Sequence, residues 1–73
     1  MSEREQMKLS MVKNLALLLM EKQPELNVEQ AIATVLNSDT YQRLQRESTG
    51  LYYQSPRYVF SFLESELLTG SIK

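Results

Sequence analysis

Leu15-Ala16-Leu17-Leu18-Leu19-Met20 is the stretch whose reading decides the fold. It is the densest apolar run in a chain of 73 residues. Read at helical spacing, Met7, Met11, Leu15, Leu18 and Leu19 fall on one face, with Val12 at its edge. Leu9, Ala16 and Met20 widen that face, and Leu17 lies outside it. A helix apolar nearly all round is one that other elements surround. The spacing therefore predicts a central helix from about Ser2 to Glu21. Ser2 is its cap, and Glu3 and Glu5 favour its dipole in the first turn. Leu17 is either covered by the last helix of the chain or marks an intermolecular seam.

Working outward, Pro24 ends this helix, because the residue before a proline avoids helical geometry. Asn27 is a strong N-cap, with Gln30 placed to complete a capping box, and Leu26 and Ala31 have the spacing of a hydrophobic staple. Val28, Ala31, Ile32, Val35 and Leu36 then recur at i, i+3, i+4, i+7, i+8. They predict a second, amphipathic helix, antiparallel to the first because the loop is short. Asn37 can close it in a left-handed conformation. Ser38 or Asp39 can cap a third, shorter helix to about Arg46, anchored only by Tyr41 and Leu44. Thr49-Gly50 breaks the pattern, and Leu51-Tyr52-Tyr53 reads as extended or turn-like.

Ser55-Pro56 is a helix start, serine at N-cap and proline at the first position. Val59, Phe60, Leu63 and Leu67 make one face of a last helix running to about Leu68, with Gly70 just past its end. The rival reading pairs Leu51–Tyr53 with Tyr58–Phe60 as a β-hairpin. A lone hairpin is marginal, and the helical pattern continues unbroken through Glu64-Ser65-Glu66. The expectation is an all-α, single-domain bundle of three main helices plus one short helix.

Composition narrows the function classes. The chain has no cysteine and no histidine, so disulfides are impossible and the usual zinc ligands are missing. The catalytic Ser-His and Cys-His pairs are missing with them. The only glycines are Gly50 and Gly70, so there is no Gly-rich phosphate loop. Glu64 and Glu66 point about 200° apart on a helix and cannot share a substrate. These features predict a non-enzyme with no cofactor. Eight Lys and Arg against nine Asp and Glu give a near-neutral balance, which argues against a bulk polyanion binder. The polar, acidic start is unlike a signal peptide, and six apolar residues are far short of the ~20 that span a bilayer. The chain reads as soluble and cytoplasmic. A domain of this length holds only ~3–5 kcal/mol from its core, which leaves oligomerisation or a partner as the available staple.

The functional candidate is the segment Tyr41 to Tyr58. It holds all four tyrosines and Arg43, Arg46 and Arg57 against one acid, Glu47. Tyrosine and arginine are the residue types of binding hot spots. The bland alternative is that the tyrosines only close a small core, hydroxyls outward. The binding residues expected are Tyr52, Tyr53, Arg57 and Tyr58, with Arg43 and Arg46 at the rim, and the partner another protein. Two alternatives stand beside this. One is a helix-turn-helix-like DNA binder whose third helix presents Thr40, Gln42, Arg43 and Arg46. The other is a self-associating structural protein, a homo-oligomer. Glu66 is an anomaly, a carboxylate on the apolar side of the last helix. It is expected either solvated near the helix end or paired with an Arg, a Lys or a tyrosine hydroxyl.

The stretch Ser38-Asp39-Thr40-Tyr41-x-x-Leu44, Thr49-Gly50-Leu51-Tyr52-x-Gln54-Ser55-Pro56-x-Tyr58-Val59, then Leu63 and Glu66, resembles short bacterial helical proteins of an uncharacterised domain family. The resemblance covers about Leu15 to Leu67, and its specific part is the tail. It implies a small non-catalytic partner protein, antitoxin-like or regulatory, encoded in a small operon. It identifies no catalytic residue.

Overall fold

The computed structural model describes residues 2–69, and all of its regular structure is helical. Four α-helices form in chain order: α1 Glu3–Lys22, α2 Val28–Leu36, α3 Asp39–Gln45 and α4 Pro56–Thr69. Two single 3-10 turns, Glu47–Thr49 and Leu51–Tyr53, join α3 to α4. Gly70, expected to follow the last helix, lies outside the described residues.

Each start follows from local chemistry. Ser2 accepts from the Glu5 amide at 3.2 Å, which caps α1. Asn27 and Gln30 form the reciprocal capping box of α2, at 2.7 and 3.0 Å. Ser38, not Asp39, caps α3 by accepting from the Tyr41 amide at 3.0 Å. Ser55 accepts from the Tyr58 amide at 3.2 Å ahead of Pro56, so α4 begins where the Ser-Pro pair places it. One ending differs from expectation. Asn37 has φ −92°, not a left-handed conformation, and its amide and side chain both bond back to the Ala33 carbonyl. That closes α2 without a glycine.

The core is built around α1. Met11, Val12, Leu15, Ala16 and Leu19 are buried from that helix alone. Ala31 and Val35 meet them from α2, Leu44 from α3, Leu51 from the second 3-10 turn, and Val59, Phe60 and Leu63 from α4. α2 packs along α1 with its C-terminal end beside α1's first half, since Leu36 and Tyr41 share a groove with Glu5, Leu9 and Val12. The helices are therefore antiparallel.

The periodicity overstated burial at several positions. Leu9 is 57% exposed; Leu17, which the periodicity left off the face, is 49% exposed and so is only partly covered. Val28 and Leu36, at the two ends of the α2 stripe, are 54% and 44% exposed. Leu18 is half-buried against the core. In α4 the buried set is Val59, Phe60, Leu63 and Glu66, and Leu67 lies exposed. The reason is the same throughout. Each helix–helix contact is narrower than the apolar stripe that enters it, so residues at the stripe's edges and ends stay exposed.

Candidate functional site

Glu66 is the best-defined polar centre of the molecule, and it corrects the expectation for that residue. It is neither solvated nor paired with a cation or a tyrosine. Its carboxylate accepts from the Asp39 amide at 2.7 Å, from the Thr40 amide at 3.0 Å and from the Thr40 hydroxyl at 2.9 Å. Both Glu66 and Thr40 are buried. The physical logic lies in α3. The first four N–H groups of any helix lack intrahelical partners. Here Ser38 donates to the Val35 carbonyl, Asp39 and Thr40 donate to Glu66, and Tyr41 donates to Ser38 Oγ. All four are satisfied, two of them by a carboxylate 26 and 27 residues away. The negative charge also lies where the helix dipole favours it. This is an intramolecular clasp that fixes α3 against α4.

The far end of α3 is closed just as specifically. The Thr49 hydroxyl lies 2.8 Å from the carbonyls of both Arg43 and Arg46 and accepts from the Leu51 amide. Gly50 follows with φ +67°, the left-handed region that glycine enters without strain. The turn brings the Tyr53 ring over Gly50, so that a Cβ there would meet the tyrosine hydroxyl at 2.9 Å. Leu51 drops into the core and Tyr52 and Tyr53 are left in edge-to-face contact, ring centroids 5.2 Å apart. The Thr49-Gly50-Leu51 stretch is thus a hydrogen-bonded corner that leads into Tyr52 and Tyr53.

The corner separates the expected binding residues into groups. Tyr52 is half-buried and lies against α1, with Lys8 Nζ 5.9 Å from its ring centroid. Tyr53 is 61% exposed. Both line a groove of about 360 Å³ whose other wall is Met7, Ser10 and Asn14 of α1, with Gln54 and Pro56 at its end. Arg57 is exposed beside Leu17, Leu18 and Glu21 in the adjoining groove of about 440 Å³. Tyr58 is exposed and meets Phe62 edge-to-face at 5.2 Å. Arg43 and Arg46 are exposed on α3, and neither lines a groove that holds Tyr52 or Tyr53. Tyr41 is turned toward the opposite groove between α1 and α2. Tyr52, Tyr53 and Arg57 therefore lie along α1 in two adjoining grooves, the second of which also holds Leu17, while Tyr58 lies apart from them against Phe62.

Sequence reasoning did not foresee Met7 and Leu17 as neighbours of that tyrosine surface. Both were assigned by helix face alone, and only the path of the corner after Thr49 places tyrosines and Arg57 along α1. Among the described residues, no three acidic side chains gather as a metal ion would require, and no helix is long and apolar enough to cross a membrane. No family model matches the chain, and neither a curated protein nor a solved structure does.

Proposed function

We propose that this chain is a non-catalytic protein–protein interaction module. The observation that carries the reading is the exposure of two large aromatics, Tyr53 at 61% and Tyr58 at 51%, with exposed Arg57 between them in the chain. Large aromatic rings left in water by a chain this small cost free energy that a partner surface recovers. Leu17 and Met7 extend the apolar floor, and Arg57 supplies a planar fork for a carboxylate. The likeness of this corner to short bacterial helical proteins supports a regulatory or antitoxin-like partner role.

A DNA-binding role has less geometric support. α3 has only seven residues, and the N–H groups at its start already face the Glu66 carboxylate. That end would meet phosphate with the wrong charge.

The test is affinity capture with the full chain, comparing wild type with Tyr53→Ala and Arg57→Ala. Both side chains are exposed, so circular dichroism should show an unchanged fold. The reading expects captured partners to be lost. Capture of every partner unchanged by both substitutions would refute it.

A further inference from the structure

We draw no further inference here: the strongest candidate, the apolar groove between α1 and α2 lined by Leu9, Val12, Ile32 and Leu36, carries nothing because Glu5, Lys8 and Lys13 line it together, so that its charge favours no one occupant, and nothing in the structure shows what covers it.

Discussion

The Glu66 carboxylate ties α4 to α3 through three hydrogen bonds. Its removal strands two amides and a hydroxyl in a buried place. Each unsatisfied group costs on the order of 1–3 kcal/mol, and bonds to a charged acceptor are the stronger kind. Glu66→Ala is therefore expected to cost about 2–4 kcal/mol, much of what a chain this size holds. Glu66→Gln keeps one acceptor but loses the charge and turns an NH2 toward a donor, for about 1–2 kcal/mol. Glu64 is the control. Its contact with Lys22 is 3.8 Å long between side chains that are 45% and 63% exposed, and such pairs contribute little. Glu64→Gln should leave the unfolding free energy from urea titration within ~0.5 kcal/mol of wild type. Equal effects at the two glutamates in urea titrations would contradict the clasp. Gly50 gives a second test at this scale. Gly50→Ala forces a left-handed alanine, about 1–2 kcal/mol, and pushes its Cβ against the Tyr53 ring. Because that ring is exposed it can swing away, so near-ultraviolet tyrosine dichroism should change. In a Tyr53→Ala background only the backbone cost should remain.

At the level of the helix, periodicity was a good guide to which elements form and a poor one to how much of each is covered. The caps at Ser2, Asn27, Ser38 and Ser55 were readable because capping is a local event within three residues. The choice between Glu66 and Leu67 for the buried face of α4 was not. It depends on α3's amides, 26 and 27 residues earlier in the chain. Hydrophobicity alone would put the leucine inward. The same blindness applied to the tyrosine segment, where composition picked out Tyr52, Tyr53, Arg57 and Tyr58 but could not separate them from Arg43 and Arg46. The corner at Gly50 does that. α4 offers the corresponding measurement. Leu63 is fully buried and Leu67 is 40% exposed. Leu63→Ala should cost about 2–5 kcal/mol, as core leucine truncations do. Leu67→Ala should cost under ~1 kcal/mol, although both belong to the stripe that the sequence suggests.

Across the whole molecule, the short helix α3 decides whether the chain unfolds in one step. Seven residues have no helical stability of their own, since isolated helices of that length do not persist in water. Yet α3 cannot open alone. Doing so would draw Leu44 out of the core, where it is fully buried, for about 1.5–3 kcal/mol. It would also unpair the Glu66 clasp, for roughly another 2 kcal/mol. That sum is comparable with the ~3–5 kcal/mol expected for the entire domain, so local opening of α3 has no advantage over global unfolding. Native-state hydrogen exchange should then find the Leu44 amide and the amides of Leu15 and Leu19 exchanging with the same free energy and the same denaturant dependence. Glu66→Gln should lower both free energies by the same amount, because the clasp is broken in the local and in the global opening alike. If α3 were already less protected than α1 in the wild-type chain, the clasp would contribute less than its geometry implies, and α3 would be an independently fraying arm.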